Sequence, residues 1–388
     1  MKKISLLVGL AAALGFNNAQ AVDWNWKGDV RERWEDQRTL KDNTDTFSSS
    51  RSRTRVRLGV YPWINEELSA GVQFATGNDK PEETISRNQS EGGIFQPKNI
   101  YLNEAFVDYH PMFLDGQVNL VLGKRDCSAE IIRVKNLVYD PDLTFEGATL
   151  QYGKDADGKE KNGPIAIAGY YLLNSWSSAT RTDPALFIAQ GAYKGEVNDI
   201  RYMLGAGWNS YSSVNNICTD INADKSGTGT GFTVTDPRVK DKEYRIVELF
   251  GNIGGQITET LPWSIYGQYA FNTGLTSVMK ENRRQAWLAG LTIGDAKQVG
   301  QWMLDAMYDY IESDSVFPLF TDSDRKLATT GTNYSIVNVK GFEVGLYYHL
   351  VQNMTLGARY FLYNNIDKTP SDKNQTLHQL QVDAVVKF

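Results

Sequence analysis

Residues 379–388 read QLQVDAVVKF. Leu380, Val382, Ala384, Val386 and Phe388 alternate with Gln379, Gln381, Asp383 and Lys387. A period of two places the apolar set on one face of a β-strand and the polar set on the other. The same period recurs along the chain. In residues 24–35 the polar set Asn25, Lys27, Asp29, Arg31, Arg33 and Glu35 opposes Trp24, Trp26, Gly28, Val30 and Trp34. In residues 51–61, Arg51, Arg53, Arg55 and Arg57 oppose Thr54, Val56, Leu58 and Val60. Residues 68–75, 202–209, 302–310, 342–348 and 355–362 alternate likewise. Read throughout, the pattern gives strands near 24–35, 51–61, 67–77, 100–110, 117–125, 145–153, 164–174, 186–194, 200–209, 243–255, 262–272, 282–294, 300–311, 335–349, 353–364 and 375–388. That is sixteen strands, with short and long connectors taking turns between them.

Composition narrows the classes. The chain has 388 residues, with 41% hydrophobic and 12% aromatic side chains, which excludes a disordered polymer. A mean hydropathy of -0.40 excludes a bundle of apolar membrane helices. The one uncharged stretch worth testing, residues 162–180, is solidly apolar only from Ile165 to Leu173, which is the length of a strand. A formal charge of -6 argues against a nucleic-acid partner. The start, MKKISLLVGLAAALGFNNAQA, has the basic Lys2 and Lys3, an apolar run from Ile4 to Phe16 and a small-x-small site at Ala19-Gln20-Ala21. It reads as a cleaved secretory signal peptide over residues 1–21, leaving a mature unit of 22–388.

In a soluble sandwich each strand turns one apolar face inward. Here the polar faces carry Gly, Asn, Asp and Arg, and the apolar faces end in Trp or Tyr. That is the pattern of a membrane barrel with aromatic girdles and a polar lumen. Closure also pairs every backbone N–H and C=O, which lipid demands. The fold class expected is all-β: a transmembrane antiparallel up-and-down β-barrel of about sixteen strands. An even count places both termini at the periplasmic end. The long outer loops are expected near 36–50, 78–99, 126–144, 210–242 and 312–334.

The chain resembles a known family, the putative porins of Gram-negative outer membranes. The resemblance is sharpest at residues 118–124, VNLVLGK, and 137–152, LVYDPDLTFEGATLQY. In that family a Gly-Lys or Gly-Arg strand end is followed by a loop and then a "D-x-D-L…EG" entry to the next strand. A more distant similarity is to the alginate-export type of barrel, whose arginine-lined pore passes an acidic polysaccharide. The resemblance implies an outer-membrane channel for passive diffusion of small hydrophilic solutes, seated among outer-membrane lipids and lipopolysaccharide. It implies that the terminal strand, ending on Phe388, is what the barrel assembly machinery reads. Among general porins trimers are usual, although monomers are known in similar barrels, so a homotrimer and a monomer both stay open. No cofactor is implied.

A barrel this wide leaves an aqueous channel, and charge along its wall sets selectivity. Alternation turns Arg51, Arg53, Arg55 and Arg57 to one side. Same-face neighbours are roughly 6.8 Å apart, within a Debye length of about 8 Å, so their fields overlap. If the first two strands pair, Arg31 and Arg33 sit beside this ladder, which would draw anions. The competing reading puts Arg51 and Arg53 at the outer rim, against lipopolysaccharide phosphates. The second candidate is the 126–144 connector with the residue before it: Arg125, Asp126, Glu130, Arg133, Lys135, Asp140 and Asp142, interleaved with Ile131, Ile132 and Leu137. By resemblance to general porins it folds into the lumen and sets carboxylates against the ladder; the alternative is an outer lid.

Cys127 and Cys218 fall in outer connectors of an oxidising compartment, where a disulfide can form. Residues 220–231 match a calcium loop poorly: the glycine is late and position twelve is Gly231, so no metal is expected. His110, His349 and His378 have no nucleophile at readable spacing, so no catalytic residue is assigned. Besides a diffusion porin, two readings stay open: a dedicated channel for acidic saccharides, and a closed structural or adhesin barrel.

Overall fold

A computed structural model describes residues 22–77, 86–114, 116–175, 182–217, 238–328, 334–368 and 374–388. The expected signal peptide, most of the 210–242 connector and the calcium-like stretch lie outside these residues.

Sixteen antiparallel strands form the wall: β1 (Asp23–Lys41), β2 (Thr44–Asn65), β3 (Leu68–Thr76), β4 (Ile100–Tyr109), β5 (Val118–Asp126), β6 (Thr144–Tyr152), β7 (Gly163–Leu172), β8 (Ala185–Val197), β9 (Ile200–Ser212), β10 (Arg245–Thr258), β11 (Leu261–Asn272), β12 (Gln285–Gly294), β13 (Trp302–Ile311), β14 (Val339–Val351), β15 (Met354–Asn365) and β16 (Gln375–Lys387). Each pairs with the next in sequence, and β16 pairs with β1 from Lys387 opposite Asp29 to Gln375 opposite Lys41. The sheet therefore has no edge, which is what permits strands to stand in hydrocarbon.

Period two sets the two faces. Trp24, Trp26, Leu58, Leu204, Leu249, Ile265, Leu346 and Val382 are exposed on the outside, while Asp29, Arg33, Gln190, Glu248, Asp305 and Gln381 are buried inside. Exposed Trp63, Trp302 and Tyr348 mark the end that carries both termini; Trp208, Trp287 and Phe342 mark the other. Aromatic side chains at these two levels suit the boundary between lipid and water. On the inner face, large rings lie over glycines. A methyl group at Gly290 would sit 2.5 Å from the Tyr266 hydroxyl oxygen, so only glycine lets that ring lie flat on the wall.

The last residue closes the ring. Gly28 N donates to Phe388 O at 2.7 Å, and Phe388 N donates to Gly28 O at 3.1 Å. A Cβ at Gly28 would meet the Phe388 ring at 2.7 Å.

One expected loop is absent. Residues 36–50 are not a long outer connector: β1 and β2 stay paired through them, with one bulge where the register shifts between Thr39 and Leu40, and meet at a two-residue turn, Asp42-Asn43, with φ of 49° and 64°. Asx residues tolerate that left-handed backbone, and two such residues match the twist of a hairpin. Their polar flanks have the composition of a loop, yet they form a strand pair. The 78–99 connector also returns to the wall in part, where Gln89–Ser90 pairs with Thr54 and Arg53 of β2.

Candidate functional site

Two connectors fill the middle of the barrel. Residues 127–143, between β5 and β6, turn inward. They begin with a single helical turn, α1 (Cys127–Glu130), capped by the Asp126 carboxylate, which accepts from Ser128 N at 2.7 Å. Ile131, Ile132, Leu137, Val138 and Tyr139 are buried. The apolar residues that looked out of place in a loop thus pack against the inner wall. Ile132 N donates to Gln190 Oε1 at 2.8 Å on β8, and Tyr139 OH donates to Asn209 Oδ1 at 2.9 Å on β9. Lys135 Nζ reaches Asp305 Oδ2 on β13 at 2.7 Å. β13 stands eight strands from β5 in the ring of sixteen, so this connector spans the lumen.

Residues 312–328, after β13, dock onto it. Arg325 is fully buried between Asp309, at 2.7 Å, and Asn136, whose backbone oxygen accepts at 2.8 Å and whose Oδ1 accepts at 2.7 Å. Thr321 Oγ1 donates to Leu137 O at 2.8 Å and Asp140 N donates to Phe320 O at 2.7 Å. Phe317 stacks on Tyr211 with ring centroids 4.2 Å apart. None of Asp309, Asp322, Asp324 and Arg325 was singled out from sequence; the 312–334 connector was read as an outer loop, and its Val316-Phe317 and Leu319-Phe320 pairs were the available signal that it packs.

The arginine row faces these connectors. β1 and β2 pair with Arg31 opposite Arg55 and Arg33 opposite Arg53. The six guanidiniums are not bare. Asp29 receives Arg55 at 2.8 Å and Arg57 at 2.5 Å. Glu35 receives Arg51 at 2.7 Å and Arg53 at 3.7 Å. Arg33 forms a two-pronged pair with Asp383 of β16, at 2.7 and 2.8 Å, and lies 3.9 Å from Asp324. Asp142 lies 3.7 Å from Arg55. Arg31 donates to Asn88 and touches no carboxylate among the described residues. The ladder is therefore largely compensated: five carboxylates touch five of the six arginines. The polar phase of the first strand already held Asp29 and Glu35, and that of the last held Asp383; what sequence did not supply was the register that brings them together.

Arg51 and Arg57 keep part of their side chains in water, whereas Arg53 and Arg55 between them are buried. Asp142 of the inward connector reaches the row there, at Arg55. Burial raises the Asp142 carboxyl, but Arg55, Arg31, Arg87 and Arg57 outweigh it and hold the group below the ordinary carboxylate value. Asp324 behaves alike: burial raises it, and Arg33, Arg359 and Arg53 bring it down. Asp140 is pushed the other way, by burial first and then by Asp322 and Asp142. Glu130 rises by burial to about 7, against the pull of Thr149, Arg125 and Lys154.

The remaining candidates separate. Arg125 pairs with Asp108 at 3.2 Å. Arg133 projects into a cavity on the terminus side of the connector. Cys127 is a buried free thiol among the described residues, its Sγ facing Asp140 O at 3.6 Å among apolar side chains. Cys218 lies outside the described residues.

A family model described as "Putative porin" matches residues 13–267 and 266–388. The chain belongs to that family. The protein is a channel for small solutes in a bacterial outer membrane. No curated protein matches the chain. Among solved structures, this porin is similar to OprB of Pseudomonas putida at high pH, with 11% identity and a TM-score of 0.56 over 94% of both chains. It is similar to the outer-membrane channel DcaP of Acinetobacter baumannii, with 12% identity and a TM-score of 0.52 over 96% of this chain and 99% of that one. It is also similar to an anion-selective porin from Comamonas acidovorans, with 10% identity and a TM-score of 0.51 over 95% of this chain and all of that one. At these identities the likeness is one of fold. Family and fold point to a channel rather than an enzyme.

Proposed function

We propose that the porin passes small hydrophilic solutes by passive diffusion through a charge-paired constriction, with a slight preference for anions. The observation that carries this reading is the row of six inward arginines, five of them touched by carboxylates, with Asp142 of the inward connector 3.7 Å from Arg55. Opposed charges on two sides of a narrow lumen orient dipolar solutes and leave a small net positive potential. A dedicated channel for acidic saccharides needs guanidiniums free to receive each carboxylate in turn, and here most are already paired. The proposal extends to the setting: an exposed apolar outer face for lipid and lipopolysaccharide, a terminal strand ending on Phe388 for the barrel assembly machinery, and a homotrimer as the assembly.

The test is a planar bilayer holding the purified porin across a potassium chloride gradient. A reversal potential on the anion side supports the reading. A cation-side value would assign control to Asp142 and Asp324, and absence of conductance would favour a closed structural barrel. Light scattering in detergent reads the assembly.

A further inference from the structure

Below the constriction, on the side of the termini, the connector between β6 and β7 does not turn tightly as a short hairpin link would. Residues 153–162 fold back under the lumen as a small strap. Asp155 organises its turn, accepting from Lys159 N at 2.8 Å. Gly158 has a φ of 80°, and a Cβ there would fall 2.6 Å from Ala129 Cα, so the strap backbone lies directly against α1. Lys154 Nζ donates to Ile131 O at 2.8 Å, and Arg125 Nη2 donates to Ala156 O at 2.5 Å. At its tip Asp157 meets Lys27 of β1 at 3.1 Å, both about half exposed.

Between strap and constriction lies a cavity of about 560 Å³. Its carboxylates are engaged: Asp29 by Arg55 and Arg57, Asp157 by Lys27, Glu160 by Lys154, Glu104 by Tyr61 OH at 2.6 Å, and Asp126 by Ser128 N at 2.7 Å. Arg133 is different. Only its Nε is used, donating to Ser128 Oγ at 3.1 Å, and no carboxylate lies in ion-pair range of it among the described residues. A guanidinium with two unspent nitrogens in a cavity of this size is built to receive a planar oxyanion.

We propose that this chamber is a solute-binding site for small organic carboxylates, in series with the constriction, with Arg133 as the receiving group and the 153–162 strap as its floor. The site deepens the channel reading and rests on it. An exposed pair such as Lys27–Asp157 is worth at most about 1 kcal/mol, so the strap's tip lifts from β1 readily while Lys154 and Arg125 hold its base, and the site releases what it holds past that tip.

Calorimetry on the full-length mature porin in detergent, titrated with succinate and separately with glucose, tests this without requiring conductance. Saturable succinate heat, absent with glucose, is expected. Arg133→Gln should weaken it by roughly tenfold or more, the usual loss for a charged hydrogen bond, and Arg133→Lys should restore part of it. Folding of each variant is checked by its heat-modifiable migration on gels. In bilayers, Asp157→Asn should shorten succinate blockades. Equal heat for succinate and glucose, or succinate heat unchanged in the folded Arg133→Gln variant, would overturn the site; unchanged blockade times would overturn the strap as its floor. A barrel that binds succinate but carries no current would instead sink the channel reading.

Discussion

At the scale of single residues, the charges in the lumen are a shared account between neighbouring strands. Replacing Arg53 and Arg55 by Gln leaves Glu35 with Arg51, Asp29 with Arg57, and Asp142 without its nearest guanidinium. The wall then changes from one arginine in excess of its carboxylates to one carboxylate in excess. The reversal potential in a salt gradient should cross to the cation side, and a porin that stays on the anion side would show that the row does not control selectivity. Glu130 offers a pH test. Its folded value, raised by burial from 4.5 to about 7, means that its contribution to stability is full below pH 4.5 and lost as pH rises through 7. Glu130→Gln should flatten the fall in urea midpoint between pH 5 and pH 8. The inward face of the arginines was legible from alternation alone. Their partners were not, because a one-residue slip in register changes every cross-strand neighbour.

At the scale of elements, the two inward connectors form one packed body, and Arg325 is its pin. Its partner Asp309 belongs to β13, so removing the arginine leaves a buried carboxylate on the wall with only Tyr363 OH, at 2.9 Å, to bond it. Breaking a buried pair on one side typically costs about 3–5 kcal/mol. Arg325→Ala should lower the denaturation midpoint accordingly, and in single-channel records it should add gating noise as the 312–328 connector loosens; a quiet, equally stable channel would contradict the pin. The elements themselves were largely readable. Strands from β3 to β16 begin and end close to where hydrophobic alternation places them, since lipid on one side and water on the other enforce the period. The connectors were harder. Ile131, Ile132 and Leu137 announced that 126–144 packs somewhere, yet they do not say on which side of the mouth. The 312–334 connector, with Val316, Phe317, Leu319 and Phe320 set among acidic residues, has the composition of an outer loop. Which loops turn inward is decided by tertiary contacts such as Lys135 with Asp305, across half the ring, and no local pattern encodes those.

At the scale of the whole molecule, closure depends on the join between the first strand and the last. Gly28→Val would set a side chain 2.7 Å from both the Phe388 ring and Arg57 O, on the seam itself. The variant should refold with a smaller heat-modifiable fraction on gels; wild-type yield would show the seam to be tolerant. The ring is also uneven in height. β1 and β2 run for 19 and 22 residues, whereas a tilted strand needs only about 9–11 to cross the membrane. At about 3.3 Å per residue and a tilt near 45°, β1 rises roughly 40 Å, well above an apolar band about 25 Å tall. Among the described residues, the barrel therefore carries one parapet, tipped by Asp42 and Asn43. A short peptide tag inserted between those two residues should leave conductance intact and be stained by antibody on living, unpermeabilised cells. Among the described parts of the outer rim, that ridge is what an antibody or a virus arriving from outside meets first.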